Sequence, residues 1–188
     1  MKLAGATPEL VAAVVCDALE RHGCTAVLTG GACVMIYAEG KYASRDLDFV
    51  VAGPGLAAVE EVLAGLGFRP EGRVYVHPDV DLAVDVGNRW PPAVGQQILT
   101  PPPPRLVSGC LLRMLSPTDC VKDRLAAFYF WDDRQALAQA VLVALARPVN
   151  VREVGRWSRV EGREVGFQEF YRALSRRRRK RRAGRPAG

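Results

Sequence analysis

The sequence predicts an α/β (α+β) fold: a small mixed β-sheet flanked by helices, followed by a C-terminal helical extension. Three observations carry that reading. Short apolar runs of strand length alternate with amphipathic stretches over residues 1–112. Residues 113–174 read as helices alone. Apolar residues make up 49% of the 188, enough for one domain with a real core. Alternation followed by a helical run points to a mixed sheet with appended helices rather than to an all-α or all-β protein. The expected organisation is a core over 1–112, a helical extension packed on it over 113–174, and a disordered basic tail over 175–188.

The elements follow in order. Thr7-Pro8-Glu9 reads as an N-cap with proline at the first helical position, and Leu10, Val11, Val14, Val15, Ala18 and Leu19 keep helical spacing up to Gly23. Thr25 to Leu28 is a short buried strand. Thr29-Gly30-Gly31 turns the chain into a helix from Ala32 to about Ala38. Arg45 to Val51 is a strand broken by Gly53-Pro54-Gly55, and Leu56 to Leu66 is a second amphipathic helix ended by Gly67. Arg73 to His77 and Asp81 to Val86 read as strands. Trp90-Pro91-Pro92 and the run Pro101 to Pro104 are loop, because proline cannot donate to a ladder. Leu106 to Leu112 reads as one more strand. Ser116 caps a helix with Pro117 at its first position, running to about Phe130. Asp132-Asp133 starts the next, to about Ala146. Val151 to Val160 is a shorter helix, and another runs from Phe167 into the arginine run.

Charge is unevenly placed. The net charge is +6, but residues 175–188 hold eight basic residues and no acidic one, leaving 18 basic against 20 acidic elsewhere. Such a block repels itself and stays disordered unless an anion orders it. A solvated tail is the plain reading; contact with RNA, tRNA included, or another polyanion is the functional one. Five cysteines show no Cys-x-x-Cys pair, so buried thiols in a reducing compartment are expected. There is no apolar run of transmembrane length and no signal-peptide core at Met1 to Gly5, so a cytoplasmic protein without membrane contact is expected.

The most informative residues are Asp46 and Asp48. In a strand, residues i and i+2 share a face, so Leu47 and Phe49 enter the core while both carboxylates point out together. At about 4 Å and an effective dielectric near 20, two such charges repel by roughly 4 kcal/mol. A cation between them removes that cost, and Mg²⁺ is held through one or two carboxylates plus substrate phosphates. Gly30 and Gly31, ahead of a helix, bring bare backbone N–H groups to a helix N-terminus, which is a phosphate site. Taken alone, Gly-Gly is usually a turn and Asp-x-Asp a solvated face. Together, each at the end of an apolar run, they describe metal-assisted transfer of a nucleotide.

The stretch Leu28-Thr29-Gly30-Gly31…Ser44-Arg45-Asp46-Leu47-Asp48-Phe49-Val50 resembles the core motif of the DNA polymerase beta-like nucleotidyltransferase superfamily. Within it, the chain is similar to small prokaryotic nucleotidyltransferases related to abortive-infection and toxin–antitoxin enzymes. Leu115 to Leu125 also resembles one of those subfamilies, and the likeness runs from about residue 7 to 146. The gap from Gly31 to Asp46 is slightly long for the superfamily, which implies an extra loop around residues 39–43. The resemblance implies a nucleotidyltransferase core and transfer of a nucleoside monophosphate from an NTP, with Mg²⁺ or Mn²⁺. The acceptor would be the 3′ end of an RNA, a protein hydroxyl or a small molecule. It also implies a role as a toxin or phage-defence enzyme, with an antitoxin protein as a partner. A catalytically silent binding module on the same fold is the alternative.

The remaining site residues follow. Two-metal chemistry calls for a third carboxylate. Asp81 and Asp85 share a face of the next strand, and Asp85, flanked by Val84 and Val86, is favoured, as the resemblance also implies. Metal ligands and catalytic residues are then Asp46, Asp48 and Asp85, with Asp85 as a candidate proton acceptor. Ser44 and Arg45 stand where they reach a β- or γ-phosphate, or Arg45 pairs with Asp48 or Glu39. Lys122 resembles the family's triphosphate-contacting basic residue; its plain reading is one member of a surface charge cluster. Phe128, Tyr129 and Trp131 read as core packing.

Overall fold

In the computed structural model, which describes residues 3–87 and 90–183, Thr7 caps the first helix, α1 (Pro8–Arg21). Its Oγ1 accepts from the Leu10 N–H at 3.3 Å, with Pro8 at the first position. Val11, Val15 and Leu19 line its buried face. β1 (Thr25–Thr29) follows and leads directly into α2 (Gly30–Tyr37).

β2 (Asp46–Ala52) lies at the centre of the site. It pairs antiparallel with β1 and parallel with β5 (Val80–Gly87). The parallel connection carries α3 (Leu56–Gly65) and the hairpin of β3 (Arg69–Glu71) and β4 (Val74–His77), whose β4 pairs antiparallel with β5. The sheet order is β1-β2-β5-β4-β3. This is the mixed sheet that the alternating pattern predicts. Its core comes from Ala26, Val27, Leu28, Leu47, Phe49 and Val84, all buried.

Two segments depart from expectation. The run 106–112 is not one strand but a hairpin, β8 (Arg105–Val107) and β9 (Cys110–Leu112), folded about Ser108 and Gly109 at φ 50° and 85°. Consecutive residues with positive φ give the turn whose twist suits antiparallel strands. The stretch read as loop after Trp90 contains the short hairpin of β6 (Ala93–Val94) and β7 (Gln97–Ile98).

The helical part comprises α4 (Pro117–Trp131), α5 (Arg134–Ala146), α6 (Val151–Val160) and α7 (Glu164–Ala183). Ser116 caps α4 by accepting from the Asp119 N–H at 3.1 Å, and Asp133 caps α5. α4 and α5 pack as a pair, α2 lies against both, and α6 and α7 also pack on α4. The basic segment departs from the expected disorder. α7 carries residues 175–183 as helix, and the rest of that expected tail, 184–188, lies outside the described residues. Phe170 and Leu174 are buried and anchor the helix just ahead of the arginines. Trp131 also departs: it is 83% exposed, while Phe128 is buried as predicted. Among the described residues, no helix is long and apolar enough to cross a membrane.

Candidate active site

Asp46 and Asp48 alternate along β2 with Leu47 and Phe49, which are 0% and 1% exposed. The pleat therefore fixes both carboxylates on the face away from the core. The parallel register sets Asp48 opposite Asp85, and Asp46 opposite Ala83. Residues paired across neighbouring strands project to one face, so Asp85 stands beside Asp48. Asp81 is exposed and precedes the paired segment. Of the two candidates for a third carboxylate, the register brings Asp85 to the pair.

Asp48 is the carboxylate that its surroundings perturb. Burial pushes the Asp48 carboxyl up to about 6, and the charges of Asp46 and Asp85 push in the same direction. Arg124, on α4, opposes the shift, and Asp123 adds to it. Arg124 is held in place by Asp123 Oδ2, which accepts from its Nε and Nη2 at 2.9 and 2.7 Å, and by Gln139 Oε1 at 3.4 Å. A basic side chain on α4 thus lowers the charge cost at the central carboxylate, and the sequence pattern does not single it out.

The glycines form the second wall. Gly30 is the first residue of α2 and has φ +66°. A Cβ built there would lie 2.1 Å from Asp48 Oδ2, so the carboxylate occupies the space a side chain would need. A Cβ at Gly31 would lie 2.9 Å from Ser44 Oγ and 3.2 Å from the Tyr42 hydroxyl. Thr29, at the N-cap of α2, makes no side-chain cap; its Oγ1 donates to the Asp48 carbonyl at 3.2 Å. The first turn of α2 also holds no acidic residue. The helix therefore presents N–H groups with no side-chain cap next to three carboxylates, an arrangement suited to an anion neutralised by cations.

Ser44 joins the site by donating from its hydroxyl to Asp46 Oδ1 at 3.2 Å. Arg45 is exposed and, among the described residues, pairs with neither Asp48 nor Glu39; Glu39 is held by Arg147 at 2.9 Å. Lys122 sits buried in a cluster of polar side chains. Its side chain is 1% exposed, and its Nζ donates to Glu153 at 2.6 Å and to Asp119 and Gln97 at 3.2 Å each. An ammonium has three N–H donors, and all are spent inside the protein. Lys122 thereby joins α4 to α6 and to the β6–β7 hairpin.

The donor set fits a hard divalent cation: carboxylates on adjacent strands, the central one destabilised as an anion by burial and then by the other two. Among the described residues, no three His, Cys, Asp or Glu side chains already close around one point as a metal site.

No protein-family model matches the chain, and no curated protein matches it. Among solved structures, it is similar to an antigenic nucleotidyltransferase-like protein from Paracoccidioides brasiliensis. The two are 15% identical, with a TM-score of 0.57 over 77% of this chain and 79% of that one. Two structures of the antibiotic-resistance factor ANT(2'')-Ia are less similar. Its solution structure is 17% identical, with a TM-score of 0.47 over 92% of this chain and 97% of that one. Its crystal structure in complex with adenylyl-2''-tobramycin is 15% identical, with a TM-score of 0.46 over 87% and 98%. The first likeness shows the fold, which is that of a nucleotidyltransferase-like protein.

Proposed function

We propose that the chain is a metal-dependent nucleotidyltransferase that moves a nucleoside monophosphate from an NTP to an acceptor hydroxyl. One observation carries the reading: Asp48, with Asp46 and Asp85 acting on it, packs against Gly30 at a helix N-terminus that no side chain caps. Folding alone gives no reason to gather three carboxylates on one sheet face.

The residues divide the work. The backbone N–H groups at Gly30 and Gly31 take the triphosphate, which the absence of Cβ atoms lets approach closely. Asp46, Asp48 and Asp85 would hold Mg²⁺ or Mn²⁺, and bound ions of that kind lower the pKa of an acceptor hydroxyl and neutralise a leaving pyrophosphate. Ser44 turns its hydroxyl from Asp46 to a phosphate oxygen, and Arg124 balances negative charge around Asp48. Asp85 accepts the proton of the acceptor hydroxyl at its carboxylate. The acceptor class is an RNA 3′ end or a protein hydroxyl, in line with a toxin or phage-defence role.

A second reading, a silent binding module on the same fold, is favoured by the carboxylates not closing into a ready metal site among the described residues. Incubation with each labelled NTP and Mg²⁺, adding total RNA, tRNA or cell protein in turn, separates the two. Transfer of label that disappears in the Asp46→Asn/Asp48→Asn double variant supports the enzyme. No transfer from any NTP, with no Mg²⁺-dependent nucleotide binding, leaves the binding module.

A further inference from the structure

The cations at 176–181 on α7 fall into two sets. Arg178 Nη2 donates to the Ala144 carbonyl at 3.4 Å, and Arg181 Nη1 to the Leu145 carbonyl at 2.8 Å. These two satisfy carbonyls in the last turn of α5 and dock one helix on the other. Arg176, Arg177, Arg179 and Lys180 are exposed, and none has an acidic partner among the described residues. The nearest acidic residue upstream, Glu169, is already bonded to Arg134.

Like charges at i and i+4, such as Arg176 and Lys180, oppose a helix. The helix persists because Phe170 and Leu174 are buried and because cations suit a helix C-terminus. The outcome is a helix end rich in positive charge without acidic partners among the described residues: Arg176, Arg177 and Lys180 stand towards one cleft, and Arg179 towards another that it shares with Arg178 and Arg181. Beside Arg176 and Lys180, between α5 and α7, lies a cleft of about 330 Å³ floored by Leu137, Val141 and Leu145 and edged by Arg134, Arg176, Arg177 and Lys180.

We propose that this face of α7, with the cleft beside it, binds RNA: the exposed cations neutralise consecutive phosphates, and the cleft shields one unstacked base. Clustered cations suit a backbone whose charge also repeats, and an apolar floor offers a base a surface for its ring face, a contact that tolerates different sequences. The surface lies on the helical side of the molecule and takes no part in the chemistry. The inference is therefore independent of nucleotidyl transfer, and its test needs no NTP.

The test is fluorescence anisotropy of a labelled oligouridylate against the full chain over a series of KCl concentrations. Each phosphate contact contributes about 0.7 to the slope of log K against log salt. The triple variant R176A/R177A/K180A should flatten the slope by about 2 while its melting temperature stays at the wild-type value. R178A/R181A should lower the melting temperature and change the slope by less. As a second readout, RNA should slow acetylation of Lys180 and leave that of Lys41 unchanged. An unchanged slope in the triple variant, or no protection of Lys180, would overturn the proposal. Equal competition by polyglutamate of matched length would overturn it too, and would assign the face to an acidic protein segment.

Discussion

Replacing Asp48 by asparagine should stabilise the protein in the absence of divalent cations. The folded-state pKa of Asp48, about 6, lies above its ordinary value of 3.8. The folded state therefore binds the proton more tightly than the unfolded state. The cost of the ionised group is complete above about pH 6 and is relieved as pH falls towards 3.8. At 1.36 kcal/mol per pH unit, a shift of this size has a ceiling of about 3 kcal/mol. Partial exposure of the carboxylate screens that to about 1–2 kcal/mol. For a domain of this length the gain is about 2–8 °C in melting temperature. The assay is thermal unfolding of wild type and Asp48→Asn from pH 4.5 to 7.5 with chelator present. The advantage of the variant should be largest at the upper end and shrink towards the lower. Adding MgCl₂ should then raise the melting temperature of the wild type and not that of the variant, since only the wild type retains the ligand set. A variant that melts below wild type at pH 7.5 in chelator, or a difference that ignores pH, would refute the electrostatic account of the three carboxylates.

Other consequences are equally direct. Gly30→Ala meets both a positive φ and the Asp48 carboxylate, so it should cost about 1–3 kcal/mol and abolish Mg²⁺-dependent nucleotide binding by calorimetry. Lys122→Met should lower stability by about 1–3 kcal/mol, because Asp119 and Glu153 lose their shared cation, yet leave the Kd for nucleotide within about twofold. The opposite pattern, intact melting with weakened nucleotide binding, would return Lys122 to the phosphate site.

The parts of the site that the sequence displays are those set by local geometry. Asp46 and Asp48 declare themselves because the period of a strand is two, with Leu47 and Phe49 supplying the buried phase. Gly30-Gly31 declares itself because it ends one apolar run and starts another. The apolar flanks of Asp85 favoured it over Asp81, but its place opposite Asp48 comes from the register of β5 on β2, a pairing between distant segments that no local pattern reports. Arg124 and Lys122 show the same limit on a helix. Two positions apart, they point about 200° from each other, and α4 has apolar neighbours enough for either phase. The structure holds Arg124 on Asp123 and Gln139, where its charge is felt at Asp48, and buries Lys122 against Glu153. The hairpin of β8 and β9 did carry a signal, since Ser108-Gly109 is a turn pair in the middle of what reads as one strand. The arginine run reads as disorder because self-repulsion is local, whereas the carbonyls of Ala144 and Leu145 that help to hold it are more than thirty residues away.

The two neighbouring glycines differ in what they would reveal in a family tree. Gly30 serves two masters: its φ of +66° demands glycine even if the carboxylate beside it were lost. A descendant that had abandoned chemistry would keep it for the turn alone. Gly31 lies outside the left-handed region, so its backbone would accept alanine; what excludes a side chain is Ser44 and Tyr42. Position 31 is therefore free to drift once the space above it has no task. Among relatives of this chain, glycine at 31 together with serine at 44 should travel with intact carboxylates. Alanine at 31 should mark lineages that have retired the site while keeping the fold.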